Sequence, residues 1–252
     1  MKSLKYPYLF LLAFCLVICF ISCSRSPEGK LIITQAPAGV YKVNSVTGDN
    51  WRYIKGARIA LVDPDRPKSV RVLTEDFYSA CSPDVSPDGK QILFAAQQKE
   101  NDPWQIWEME LKSGKYHKIT DFKGNCTDPV FLPANKMVYT AGLTTGDSSM
   151  HPGFEMFACK KDGSALQQIT FHPHSDFATT ILKDGRLLSI SQQLYPSQGD
   201  PVLMVLRPDG TKCDLFYQGL PGTRIINKSR EADGKLLYMV ESDSAGRTAV
   251  IS

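Results

Sequence analysis

The stretch Asp84-Val85-Ser86-Pro87-Asp88-Gly89-Lys90-Gln91-Ile92-Leu93-Phe94 decides the fold, because its pattern returns along the chain. It comes back as Thr180-Ile181-Leu182-Lys183-Asp184-Gly185-Arg186-Leu187-Leu188-Ser189 and as Ser229-Arg230-Glu231-Ala232-Asp233-Gly234-Lys235-Leu236-Leu237-Tyr238. A degenerate copy is Val130-Phe131-Leu132-Pro133-Ala134-Asn135-Lys136-Met137-Val138-Tyr139. The turn residues Gly89, Asn135, Gly185 and Gly234 are 46, 50 and 49 residues apart. A second marker keeps nearly the same beat: Leu73-Thr74, Ile119-Thr120, Ile169-Thr170 and Phe216-Tyr217 follow one another at 46, 50 and 47 residues. Self-similarity at a fixed period is the signature of a stacked supersecondary unit.

Each unit reads as four strands. The Asp-Gly or Asn turn supplies the positive φ of a tight hairpin. An apolar stretch and a loop follow, then a strand such as Gln105-Ile106-Trp107-Glu108-Met109-Glu110-Leu111. A further turn (Lys112-Ser113-Gly114-Lys115, Lys161-Asp162-Gly163-Ser164, Arg207-Pro208-Asp209-Gly210) leads to the strand that ends in Ile-Thr or its equivalent. A four-stranded unit of roughly 40 to 50 residues is the size of a propeller blade. No run sustains the 3.6-residue period of a helical solenoid. The expected fold class is therefore all-β, a β-propeller of four-stranded antiparallel blades. At least four consecutive sheets are expected, with first strands at 91–95, 137–140, 186–190 and 235–240.

Composition agrees. Of 252 residues, 42% are hydrophobic and 22% charged, the balance of a chain that buries a core. Sixteen Pro and 18 Gly are spread along the chain, as expected for many short elements joined by turns. The net charge of +3 includes Lys2 and Lys5, which lie in a leader argued below to be removed; without them it is +1. So small an excess gives no field for a polyphosphate backbone, and no nucleic-acid partner is expected.

Lys2 and Lys5 precede the apolar run Leu9 to Ile21, too short to span a bilayer and the right length for the centre of a secretion signal. The run ends in Phe20-Ile21-Ser22-Cys23. A small residue directly before a cysteine at this place resembles the lipobox of bacterial lipoproteins, with Phe20 standing where that family usually has Leu. The resemblance implies cleavage before Cys23, diacylation of its thiol, and a membrane anchor; the alternative is an ordinary cleaved signal. Acyl chains bury at about 0.8 kcal/mol per CH₂, so several chains hold firmly. Residues 1–22 thus read as a lipoprotein signal peptide, 23–30 as the lipidated Cys and tether, and 31–252 as the propeller domain. The expected location is the bacterial cell envelope, on the periplasmic side or the outer surface.

The Ser86-Pro87-Asp88-Gly89-Lys90 turn followed by Ile92-Leu93-Phe94 resembles the β-propeller repeat of TolB-like proteins. A longer stretch, from Asp84 through Pro103-Trp104-Gln105-Ile106-Trp107-Glu108-Met109 to Asp128-Pro129-Val130-Phe131-Leu132-Pro133, resembles the propeller region of proteins related to the hydrazine synthase alpha subunit. The likeness continues through Ile169-Thr170-Phe171 and Arg207-Pro208-Asp209-Gly210-Thr211. Such a motif implies fold far more than function. From Leu31 to Ser252 there are 222 residues, about 4.6 periods, whereas the resembling families generally close rings of six or more blades. The arc is expected to be open or truncated. The competing reading is a five-bladed ring closed by pairing residues 31–34 with 248–251.

The connections from each fourth strand to the next blade contain Cys81, Cys126, His172-Pro173-His174 and Thr223-Arg224. Two cysteines and two histidines at equivalent places suit a borderline-soft metal. Cys81 and Cys126 also read as an interblade disulfide or as inert buried residues. The His172-Pro173-His174 tripeptide is similar to the histidines of oligogalacturonate lyases, which hold a divalent metal; exposed loop histidines are the plainer reading. The Cys-x-x-Cys-His of a c-type haem, the Gly-x-Ser-x-Gly elbow and the P-loop are all absent, so no cofactor is expected. Trp104 and Trp107 read as blade packing, and Asp84, Asp88, Asp128 and Asp184 as turn and interblade hydrogen-bonding residues. The function these features predict is a lipid-anchored, non-catalytic module that binds an envelope protein or a small ligand. The alternative is a metal-dependent carbohydrate lyase or hydrolase using His172 and His174.

Overall fold

The computed structural model describes residues 29–38, 53–143, 153–171, 174–194, 197, 199–232, 234–242 and 247–251. They form strands and turns, with no helix among the described residues. The first sheet holds β1 (Leu31–Gln35), β2 (Arg58–Asp63) and β3 (Arg66–Val72). The second holds β4 (Ser79–Val85), β5 (Gln91–Gln97), β6 (Gln105–Glu110) and β7 (Tyr116–Lys118), and the third β8 (Cys126–Leu132), β9 (Lys136–Leu143), β10 (Gly153–Lys160) and β11 (Gln167–Gln168). The fourth holds β12 (His174–Ile181), β13 (Leu187–Gln193), β14 (Val202–Leu206) and β15 (Asp214–Tyr217). The last holds β16 (Thr223–Ile225), β17 (Arg230–Ala232), β18 (Lys235–Ser242) and β19 (Arg247–Ile251). All pairings are antiparallel, and in the second, third and fourth sheets the strands lie side by side in chain order.

The strands expected at 91–95, 137–140, 186–190 and 235–240 are β5, β9, β13 and β18, but they are second strands, not first. The Asp-Gly turn closes a hairpin, so a strand must also precede it. Those preceding strands are β4, β8 and β12, each broken by a bulge around Ser82, Asp128 or Ala178, which stand at positive φ of 52°, 49° and 54°. A bulge interrupts the period-2 alternation that marks a strand in sequence. In the last sheet the same interruption is longer, and β16 and β17 pair with opposite ends of β18.

The Ile-Thr marker has a mechanical role. Leu73, Ile119 and Ile169 donate their backbone N–H to the carbonyls of Ile59, Ile106 and Met156 at 2.8, 2.8 and 2.9 Å. The following Thr74, Thr120 and Thr170 hydroxyls accept the N–H of those same three residues at 3.0, 2.8 and 2.9 Å. The threonine side chain thus replaces a backbone carbonyl where the outer strand peels away, and leaves no buried donor unpaired. By this marker β3 is a fourth strand, β2 a third and β1 a second.

Adjacent sheets meet face to face through apolar clusters. One joins the first and second sheets around Ile59, Phe77, Phe94 and Trp107; another joins the second and third around Leu93, Ile106, Phe131 and Tyr139. Leu187 and Leu206 of the fourth sheet pack on Val138, Met156 and Ile169 of the third. Trp104 and Trp107 are buried in these clusters, as expected of blade packing. The seams also need glycine. A Cβ on Gly163 would stand 2.8 Å from the Ile119 carbonyl oxygen, and one on Gly210 closer still to that of Ile169. Both glycines are at positive φ, 80° and 83°, in the hairpin between third and fourth strands. Each hairpin therefore docks its bare backbone on the Ile-Thr turn of the preceding sheet.

Residues 31–34 pair with β2 and residues 248–251 with β18, so the strand exchange of the five-bladed reading is not formed. The ends are related in another way. From the fifth sheet Arg230 Nη1 reaches Asp84 Oδ1 at 3.3 Å, and Lys228 Nζ lies 4.0 Å from the same oxygen and 3.4 Å from the Pro129 carbonyl. Asp84 Oδ2 accepts the Phe131 N–H at 3.0 Å, and Asp128 accepts Ser82 Oγ–H at 3.1 Å and Ala178 N–H at 2.9 Å. The inner strands of the second to fifth sheets are thus tied by two carboxylates and two cations, and Asp84 and Asp128 are the interblade residues expected.

Candidate functional site

The two cysteines singled out in the sequence and His174 do not share one site. Cys81 and Cys126 lie on β4 and β8, not in connecting loops, and are buried in the cluster between the second and third sheets. Neither is in a disulfide, and burial pushes each thiol up to about 12. His174 opens β12 at the other side of the third sheet, and Thr223 and Arg224 lie on β16. His172, Cys23 and the leader lie outside the described residues. Among the described residues no group of three or more His, Cys, Asp or Glu side chains is arranged to hold a metal ion.

What His174 does border is a cleft of about 910 Å³ where the seam between the third and fourth sheets opens. Register explains its walls. His174 and Asp176 pair with Gln193 and Ser191, and Ser191 with Val202, so one face of β12, β13 and β14 presents these side chains with Met204 and Leu206. At its inner end that face is apolar and seals against Ile169; at its outer end it is polar and open. Phe171, just past the Ile169-Thr170 turn, and the Gln218–Thr223 connection form the rim. Phe171 is 67% exposed and Leu220 45%. Asp176 is buried in the wall, whereas Asp200 and Cys213 are exposed at the mouth.

Behind Thr170 sits Glu155, fully buried. The repeat explains it. Fifty residues earlier Gln105 occupies the same place: its Oε1 accepts Thr120 Oγ1–H at 2.7 Å and Phe122 N–H at 2.9 Å, and its Nε2 donates to the carbonyls of Phe122 and Gly124 at 2.9 and 3.1 Å. Glu155 Oε2 likewise accepts Thr170 Oγ1–H at 2.7 Å, but a carboxylate has no N–H to donate. Burial, and then the charge of Asp176, push Glu155 up to about 7, with the Thr170 bond opposing. Burial, and then the charges of Asp176 and Asp214, also raise the Cys213 thiol. The carboxylates that line the cleft are Asp176 and Asp200, and Glu155 adds a charge behind them only above about 7. No sequence motif marks Glu155, because its signal is a change of residue at a repeat position, visible only once the two units are set in register.

No family model matches the chain. Hydrazine synthase subunit alpha of Kuenenia stuttgartiensis is 33% identical over 118 residues, which is 45% of this chain and 14% of that protein. Tol-Pal system protein TolB of Francisella tularensis is 29% identical over 92 residues, 36% of this chain and 21% of that protein. The chain therefore spans well under a third of the length of either curated relative. Among solved structures, Kuenenia stuttgartiensis hydrazine synthase superposes with a TM-score of 0.72 over 89% of this chain and 37% of that one, at 20% identity. TolB from Acinetobacter baumannii superposes with a TM-score of 0.54 over 90% of this chain and 53% of that one, at 14% identity. The fold is a TolB-like β-propeller. The all-β expectation, the blade repeat and the resemblances to TolB-like proteins and to the hydrazine synthase alpha subunit hold. In a TolB-like propeller seen blade by blade, the cleft beside His174 is the seam between the third and fourth blades.

Proposed function

We propose that this TolB-like propeller is a non-catalytic binding module of the bacterial cell envelope, held on the membrane through Cys23, and that the cleft between the third and fourth blades receives its partner. The observation that carries the reading is the cleft itself: a cavity of about 910 Å³ with an apolar floor, convergent polar groups and exposed aromatic and aliphatic residues at the rim, the usual build of a recognition site. The leader, the lipobox-like Ser22-Cys23 and the similarity to Tol-Pal system protein TolB support the location. Two experiments test it in a bacterial host. Cys23→Ser removes the thiol that carries the lipid, and the protein is expected to move from the membrane fraction to the soluble fraction; continued membrane association and unchanged fatty-acid labelling would refute the anchor. A photo-crosslinking residue at position 171 is expected to trap a discrete adduct, and one at Lys68 on β3 is not; equal trapping at both positions would refute the cleft. His174 at the mouth favours one second reading, a metal-dependent lyase or hydrolase acting on carbohydrate. A stoichiometric divalent ion in purified protein, lost when His172 and His174 are both replaced, would establish that reading instead.

A further inference from the structure

The seam between the third and fourth blades opens at both ends, and the two openings differ in charge. At the far end a second cleft, of about 540 Å³, is lined by Lys136, Lys160, Arg186 and Arg207 against only Asp184 and Asp209. At the His174 end, the described residues lining the larger cleft include Asp176 and Asp200 and neither Lys nor Arg. Glu155 lies directly behind the Thr170 that lines it, within the electrostatic reach of Asp176. The same two blades, built on the same repeat, thus carry a basic opening and an acidic one, so the sign is a property of each opening and not of the fold.

We propose that the larger cleft holds a cationic side chain, lysine or arginine, presented by an extended segment of a partner protein. The inference rests on the cleft being the binding site. A cation on an aliphatic stem matches both halves of the cavity: the stem lies along Val202 and Met204, and the head reaches Asp176. Phe171 at the rim offers a ring face to the same charge. A polypeptide fits better than a free polyamine because the apolar surface does not stop at the mouth. β15, which leads into the Gln218–Thr223 wall, exposes Leu215 and Phe216, and Leu220 follows. A chain leaving the cleft covers these side chains, which a small cation leaves in water.

The test uses the mature full-length protein and fluorescein-labelled Gly-Leu-Arg-Leu-Gly, with versions carrying norleucine or glutamate in place of arginine, followed by fluorescence anisotropy. The arginine peptide is expected to bind saturably, at least about tenfold more tightly than the norleucine peptide, the difference being the lost charge. Asp176→Asn combined with Asp200→Asn is expected to abolish that preference. Should the double variant fold poorly by circular dichroism, Asp200→Asn alone and Phe171→Ala serve, each expected to weaken arginine binding several-fold. Equal affinity for the norleucine or glutamate peptide overturns the proposal, as does absence of saturable arginine binding. Binding of spermidine with none of the arginine peptide overturns the partner class. The crosslink at position 171 separates the two readings: an adduct without arginine binding leaves the cleft as the site and removes the cationic ligand, and loss of both removes the site.

Discussion

Glu155→Gln should make the protein more stable, and only above a certain pH. Glu155 is fully buried, its ordinary value is 4.5, and burial with the neighbouring Asp176 raises it to about 7. A carboxyl raised in the folded state binds its proton more tightly there than in the unfolded chain. Its stabilising contribution is therefore complete below about 4.5, declines as pH rises, and is gone once the carboxyl ionises above about 7. Each pH unit of such a rise is worth about 1.4 kcal/mol, so a rise from 4.5 to about 7 makes the ionised carboxylate cost the fold roughly 3 kcal/mol at about pH 8.5. Glutamine does not titrate. Gln105 in the preceding blade shows that an amide fits the slot, with Oε1 accepting from Thr120 Oγ1 and Nε2 donating to two backbone carbonyls. Urea melts of the two proteins at a series of pH values should give curves that nearly coincide near about pH 4 and separate by roughly 3 kcal/mol near about pH 8.5, the glutamine variant being the more stable. A gap that does not change with pH, or a glutamine variant less stable at the alkaline end, refutes the argument that the carboxyl is proton-linked.

Gly210→Ala should lower stability by about 2 to 4 kcal/mol, because alanine at this positive φ is strained and its methyl meets the Ile169 carbonyl; Gly89→Ala, at similar φ with open space around it, should lose only about 1 kcal/mol. Thermal melts compare the pair, and equal losses would mean the seam tolerates the methyl. Lys228→Met should destabilise by about 1 to 3 kcal/mol in a denaturant melt, since Asp84 then keeps only the half-exposed Arg230 as a counter-charge; an unchanged midpoint would show that Arg230 suffices. Of the propeller's four cysteines, a maleimide should label Cys213 in the native state and Cys81, Cys126 and Cys159 only in denaturant, because the last three are buried thiols held at about 12, 12 and 11. Mass spectrometry of the labelled peptides reads this directly, and native labelling of Cys81 would contradict its place in the core.

Much of the architecture was legible because the blade repeats its turn chemistry. Gly89, Asn135, Gly185 and Gly234 all stand at positive φ, as their spacing implied. The Ile-Thr marker was visible as a pattern, although the exchange of a backbone acceptor for the Thr hydroxyl is a three-dimensional fact. The bulged inner strands were harder. Ser82, Asp128 and Ala178 share a left-handed backbone and no side-chain chemistry, so nothing in their identity announces the bulge. The cysteines and histidines stood out as residue types, yet Cys81 and Cys126 point into an apolar seam and His174 borders a different one. The acidic cleft was hidden for the opposite reason. Its informative residue, Glu155, is ordinary in type and unusual only where glutamine stands one repeat earlier. Arg230 and Asp84, 146 residues apart, carry no local signal at all.

The bond between those last two residues changes how the molecule is expected to come apart. In a linear array of repeats each unit touches only its neighbours, so the end unit frays first and at little cost to the rest. Here the fifth blade supplies the cations that sit against a carboxylate of the second, so its departure strands a buried negative charge three blades away. Loss of the fifth blade is thereby felt at once in the second. An ionic contact between the second and fifth blades makes an array that would otherwise unzip stepwise behave as one cooperative body, and because its carboxylate is buried, added salt loosens it little.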